Sequence, residues 1–205
     1  MKNIAIIGHG GHARVIEDLV LSLKEYSCRG FIGKQKQEGV VYSDEGLDDL
    51  KKDGIACLAS GVGNISYPWF DEMIAKYIGR GFGFPALIHP SAAVSGQSQL
   101  GDGTVVLENA VIKARSEIGR FCIINSLSVV SHDCVIGDYV HISLGAKMGG
   151  GCQVGRNSFL GINSSVIQGK KIGKDVIVGA GAVIIDDVPD GVVVAGNPGR
   201  IVKKR

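Results

Sequence analysis

The chain has 205 residues, 45% of them hydrophobic, with 31 Gly and with 22 basic against 20 acidic side chains, a net charge of +2. This length supports one or two domains with real cores. The near-even charge excludes the electrostatic footprint of a protein that binds nucleic acid or an anionic membrane. The longest apolar stretch, Val176 to Ile185, is half a membrane span, and the run before Gly8 is too short for a signal peptide. We therefore expect a soluble protein. The five Cys form no C-x-x-C pair, and neither a disulfide framework nor a metal site is expected of them, so the compartment reads as reducing.

In chain order, Lys2 to Ile7 reads as a short apolar strand that stops at Gly8. Gly8-His9-Gly10-Gly11-His12-Ala13 follows, and Val15, Ile16, Leu19, Val20 and Leu23 then share one helical face. Strand, Gly-rich turn and helix match G-x-G-x-x-A, a variant of the dinucleotide fingerprint, where N–H groups at a helix N-terminus meet phosphate. A turn that only packs helix on sheet has the same spelling. The acid expected after a second strand is missing, because Gly30-Phe31-Ile32 runs into Gly33-Lys34, so a bound redox dinucleotide is disfavoured. A short helix is expected over Glu45–Lys52 and a buried strand over Ile55–Ala59, ending in Ser60-Gly61-Val62-Gly63-Asn64. A further helix is expected over Ser66–Ile78 and a last strand over Phe82–Ile88. The β-α-β alternation predicts a small parallel sheet flanked by helices, over residues 1–85.

From Ile88 to Ile184 every sixth residue is aliphatic or Met, seventeen in all. At this composition such a run arises by chance on the order of once in 10⁵ tries. Four residues after each stands a small residue, Ala, Ser, Thr or Cys, in thirteen of sixteen cases; the exceptions are Val140, Lys170 and Val176. Cys122, Cys134 and Cys152 occupy such positions and read as small core residues. An aliphatic-Gly pair recurs every eighteen residues, from Leu100-Gly101 to Ile172-Gly173. A helix needs a repeat of 3.6 and a strand a repeat of two. A period of six fits short strands joined by tight corners, three to a coil, stacked so that neighbours supply the core. Gly after the large residue suits a corner that needs either unusual φ or close backbone approach. Residues 86–205 are thus expected to form a β-solenoid and its tail.

His132 lies two residues after the inward Val130, so it faces outward with Asp133 beside it. An imidazole suits proton removal at neutral pH, although a surface His beside a surface Asp reads the same way. His141 is nine residues on and also outward. No third ligand stands at a spacing that would make the two histidines a metal site.

A small α/β domain followed by a hexapeptide solenoid resembles the hexapeptide-repeat acyltransferases with a left-handed parallel β-helix. Within them it resembles the subgroup that acetylates nucleotide-linked 4-amino-4,6-dideoxy sugars or sialic acid hydroxyls. The residues that carry the resemblance are Gly8-His9-Gly10-Gly11-His12, Asn125-Ser126, Ser131 to Gly137, His141 to Gly145, Phe159 to Asn163 and Gly196-Asn197-Pro198. The resemblance implies a Rossmann-like sugar-nucleotide domain over 1–85 and an acetyltransferase β-helix over 86–205. It implies a cytoplasmic homotrimer that uses acetyl-CoA and no metal, in surface polysaccharide biosynthesis. It implies His132 as general base with Asp133 as its acid partner. Acceptor binding falls to Gly8, Gly10, Gly11, His12, Gly61, Asn64, Asn125 and His141, with His141 alternatively structural. Acetyl-CoA binding falls to Ser143, Gly150, Ile162, Ala180 and Arg200, with Lys170, Lys171 and Lys174 as further candidates. The leading expectation is an acetyl-CoA-dependent N-acetyltransferase of a nucleotide-linked 4-amino sugar. The alternatives are a sugar O-acetyltransferase and a non-catalytic nucleotide-binding solenoid, and the nucleobase stays open among UDP, dTDP and GDP.

Overall fold

The structure is a computed structural model that describes residues 1–34, 40–43, 45–63 and 69–205. The chain divides into two compact units, Met1–Leu87 and Ile88–Arg205.

The first unit is a parallel sheet in the order β3-β2-β1-β4, built from β1 (Lys2–Ile7), β2 (Tyr26–Gly33), β3 (Val40–Ser43) and β4 (Cys57–Ser60). Ile4 to Ile7 are all buried, the pattern of a central parallel strand covered on both faces. Helix α1 (Gly11–Ser22) buries Ala13, Ile16, Leu19 and Val20, the face read from the 3.6 period. Helices α2 (Leu47–Lys52) and α3 (Trp69–Gly79) follow β3 and β4, and α3 buries Phe70, Ile74 and Tyr77. The first three residues of the expected Ser66–Ile78 helix lie outside the described residues. The expected strand over Phe82–Ile88 is a correction: Gly83 alone bridges to Cys57 in this sheet, and Leu87–Ile88 pairs with the solenoid instead. Pro85 has no N–H to give a ladder, so the apolar run cannot continue as one strand.

The second unit is a three-sided parallel β-solenoid. Seventeen two-residue strands, β5 to β21, run from Leu87–Ile88 to Val183–Ile184. Each pairs with the strand eighteen residues away, as in Glu117↔Val135, Ile123↔His141 and Val129↔Lys147. Strand β22 (Val192–Ala195) extends one sheet in parallel, and β23 (Arg200–Lys204) finishes it antiparallel. The large residue of each hexapeptide points inward, and from Val106 to Ile184 all of them are buried in one continuous core.

The small inward position has a second job. Thr104 Oγ1 donates to the Gly119 carbonyl at 2.7 Å and accepts the Cys122 N–H at 3.0 Å. Ser116 does the same for Ser131 and Cys134, and Ser158 for Gly173 and Val176. The thiols of Cys122, Cys134 and Cys152 donate to the carbonyls of Gly137, Gly149 and Ile167. Smallness lets these residues fit inside; the hydroxyl or thiol then satisfies corner groups that would otherwise be buried unpaired.

The repeating glycines serve close approach. A Cβ on Gly137 would lie 2.7 Å from the Arg156 nitrogen, and one on Gly155 would lie 2.5 Å from the Lys174 nitrogen, so coil stacks on coil there without side chains. The left-handed corner residue comes two places later, at every sixth position from Gly103 to Gly181, and nine of these are not glycine. Asp133 (φ 58°) and Arg115 (φ 58°) are two of them. A non-glycine residue there costs on the order of 1 kcal/mol, which the stacked coils offset.

Candidate active site

His132 and Asp133 sit on the corner between β12 (Val129–Val130) and β13 (Val135–Ile136). The Ser116 hydroxyl pins both flanks of that corner from inside, through Ser131 and Cys134. The left-handed turn at Asp133 brings its carboxylate back onto the neighbouring ring, with Oδ2 2.7 Å from His132 Nδ1. One coil earlier, Arg115 occupies the equivalent turn. Its Nε donates to Asp133 Oδ1 at 2.7 Å and its Nη2 to Oδ2 at 3.2 Å. The Arg115 hydrogen bonds, and after them that of His132, hold the Asp133 carboxyl down at about 2. An ionised carboxylate only accepts, so His132 Nδ1 is the donor and the neutral ring keeps its lone pair on Nε2. One coil later lies Gly150. A Cβ there would stand 2.5 Å from His132 Cε1 and Nε2, so the imidazole rests over bare backbone. Gly150 was expected to meet acetyl-CoA through its backbone; its place against the His132 ring is new. Arg115 was missed altogether, though counting eighteen back from Asp133 finds it.

A second group lies on another side of the prism. His141 opens β14 (His141–Ile142) and is 9% exposed. Its ring packs edge-on against Phe159 at 5.0 Å. Asn125 Oδ1 accepts the Ser126 N–H at 2.8 Å, so its amide nitrogen faces His141 Nε2 at 3.1 Å and donates to it. The neutral His141 ring therefore carries its proton on Nδ1. The Ser126 hydroxyl donates to Glu108 Oε2 at 2.6 Å. Burial opposes the Glu108 charge, but the Ser126 hydroxyl and backbone hydrogen bonding outweigh it and hold its pKa low. Ser143 follows on this corner and is buried, while Leu144 and Ile162 are 44% and 46% exposed one coil apart, in line with Ala180. Arg200 lies in β23 with Asp186 at 3.8 Å.

His132 and His141 do not come together within one chain. Nine residues is half of the eighteen-residue coil, so the His132 corner faces away from the sheet that carries His141. With each side spanning four or five extended residues, roughly 15 Å of core separates them.

The third group is in the first unit. Gly8 has φ 91°, a conformation only glycine adopts freely, and its N–H donates to the Ile32 carbonyl. Helix α1 then starts with no side-chain cap and no acid in its first turn. Its first N–H groups are thus left to a ligand or to water. Cβ atoms on Gly10 or Gly11 would meet nothing within 4 Å, so neither is needed for packing. Gly61 stands against Ala13 and Gly63 against His12, where a Cβ would lie 2.6 Å and 2.8 Å from those side chains. Burial lowers the pKa of His12, keeping the ring neutral at the turn. Asn64 lies outside the described residues. Among the described residues no group of three or more His, Cys, Asp or Glu could hold a metal ion, and no helix is long and apolar enough to cross a membrane.

Residues 3–66 match the family model of the PglD N-terminal domain. A UDP-N-acetylbacillosamine N-acetyltransferase from Bacillus subtilis is 36% identical over 117 residues, a match that spans about half of each chain (52% of both). The acetyltransferase domain of PglB from Neisseria gonorrhoeae is 34% identical, over 98% of this chain and all of that one, with a TM-score of 0.90. PerB from Caulobacter crescentus, solved with CoA and GDP-perosamine, is 35% identical over 98% and 97% of the two chains, also with a TM-score of 0.90. The class these features define is the left-handed parallel β-helix built of hexapeptide repeats. The chain belongs to its family of sugar acetyltransferases, in the subgroup of nucleotide-4-amino-sugar N-acetyltransferases and sialic acid O-acetyltransferases.

Proposed function

We propose that this chain is an acetyl-CoA-dependent N-acetyltransferase that acts on the 4-amino group of a nucleotide-linked 4-amino-4,6-dideoxy sugar. The observation that carries the reading is the outward His132 ring, fixed by Asp133 in the tautomer that leaves Nε2 as a base. Relatives of near-full coverage support the substrates: PerB was solved with CoA and GDP-perosamine, and the PglB domain with acetyl coenzyme A. The acceptor amine loses its proton to His132 Nε2 as its nitrogen attacks the thioester carbonyl. A C–N bond forms, the C–S bond breaks, and the imidazolium returns the proton to the departing CoA thiolate. No covalent enzyme intermediate is needed: the repeat's thiols donate inward to carbonyls, and burial pushes Cys122 up to about 12.

Residues 1–85 bind the sugar nucleotide. Its diphosphate lies at Gly8, Gly10, Gly11 and His12, where uncapped N–H groups offer an anion site, and Gly61 and Asn64 are further candidates to bind the same substrate. Residues 86–205 carry the transfer. Asn125 and His141 line the acceptor and acetyl side, and Ser143, Gly150, Ile162, Ala180 and Arg200 line the acetyl-CoA path. The exposed apolar step at Leu144 and Ile162 suits the pantetheine arm. Because His132 and His141 point to opposite sides of one prism, a shared site requires two copies, which supports a homotrimer with its sites between subunits. A cytoplasmic place in surface polysaccharide biosynthesis follows from the kinship alone.

The test is CoA release from acetyl-CoA with UDP-, dTDP- and GDP-linked 4-amino-4,6-dideoxy sugars and with free sialic acid. One amino-sugar nucleotide should turn over, and His132→Ala should lower its kcat/KM by about 10²–10⁴ with the melting temperature unchanged. Turnover of sialic acid alone would make the enzyme an O-acetyltransferase, and no turnover with any acceptor would favour a binding solenoid.

A further inference from the structure

We propose that Arg115 is a positioning residue for His132, acting through Asp133, so that the base is the end of a three-residue relay spanning two coils. This rests on His132 being the base. Arg115 and Asp133 are stacked exactly one coil apart in the same left-handed turn, so their side chains leave the corner in parallel. The guanidinium reaches both carboxylate oxygens, at 2.7 Å and 3.2 Å, and Oδ2 is shared with the imidazole. A fork on two oxygens fixes the plane of the carboxylate, and that plane fixes the ring. Arg115 itself is 70% exposed, so this fork is not there to fill the core.

The charge surroundings are simple. The preceding coil presents Lys113 and Glu117, both exposed, on either side of Arg115. The following coil presents Gly150 and Gly151 at the corner and Lys147 on the strand beside it. Arg115 is the one cation among these that bonds to Asp133. It offsets part of the carboxylate's charge, which otherwise acts on the imidazolium alone.

The experiment compares wild type, Arg115→Ala and Arg115→Lys by kcat, both KM values and melting temperature, with the Nδ1–H signal of His132 followed by NMR, which needs no turnover. Loss of the fork should lower kcat about tenfold with both KM values and the melting temperature held, and should weaken the His132 signal that the bond to Asp133 protects. Arg115→Lys should restore only part of kcat, because one ammonium cannot bridge both oxygens. Wild-type turnover and an unchanged signal in Arg115→Ala would overturn the proposal, as would a raised KM for acetyl-CoA with kcat held, which would make Arg115 a substrate contact. If His132→Ala itself turned over normally, the base assignment would fail instead.

Discussion

Asp133 serves two partners with one carboxylate, one that fixes it and one that it fixes. With its carboxyl held at about 2, Asp133 stays ionised throughout any workable assay and adds no limb of its own to the profile. Asp133→Asn leaves the His132 ring without its charged acceptor, so kcat should fall at least as far as in Arg115→Ala, with the melting temperature held. Steady-state kinetics of the two variants check the order, and a smaller loss in Asp133→Asn would contradict the relay. Gly150 gives a separate handle. A methyl at 2.5 Å from the ring must displace it, so Gly150→Ala should cost roughly 10–10² in kcat. Unchanged kcat would mean that the ring sits elsewhere during turnover. Of this site, the sequence made His132 and Asp133 legible because they are adjacent. Arg115 and the place of Gly150 against the ring were not, because those contacts run across coils, at eighteen-residue spacing.

At the scale of the element, the hexapeptide fixes which residues point inward but hides why some of them are polar. Ser116 holds a carbonyl and an N–H at the His132 corner, whereas Ser128 Oγ, in the same inward role on another edge, has no partner among the described residues. Ser116→Ala should therefore cost about 1–3 kcal/mol, and Ser128→Ala should be close to neutral. Denaturant midpoints measure both, and equal effects would show that the hydroxyls count only as volume. The glycines illustrate a choice the sequence left open. Either unusual φ or close approach explained a Gly after each large residue, and the structure has close approach at Gly137 and Gly155, with the left-handed turn displaced to residues such as Asp133. That displacement matters for function, since it puts a polar side chain where the chain bends back on its neighbour. The Phe82–Ile88 strand failed for a local reason, as Pro85 breaks a ladder that its apolar neighbours suggest.

At the scale of the molecule, a periodic scaffold sets the geometry of the site. His132 and His141 are nine residues apart in a coil of eighteen, so they face opposite ways, and one chain alone does not bring His132 to the Asn125–His141 pair. The measurement that tests this account most directly is subunit mixing. His132→Ala and His141→Ala enzymes, each expected to have lost turnover, are purified and allowed to exchange subunits at a 1:1 ratio, with exchange followed by mass. If each site takes His132 from one copy and His141 from the next, about a quarter of the sites regain both, and about a quarter of wild-type turnover returns. Complete exchange with no recovered activity would contradict a site shared between two copies.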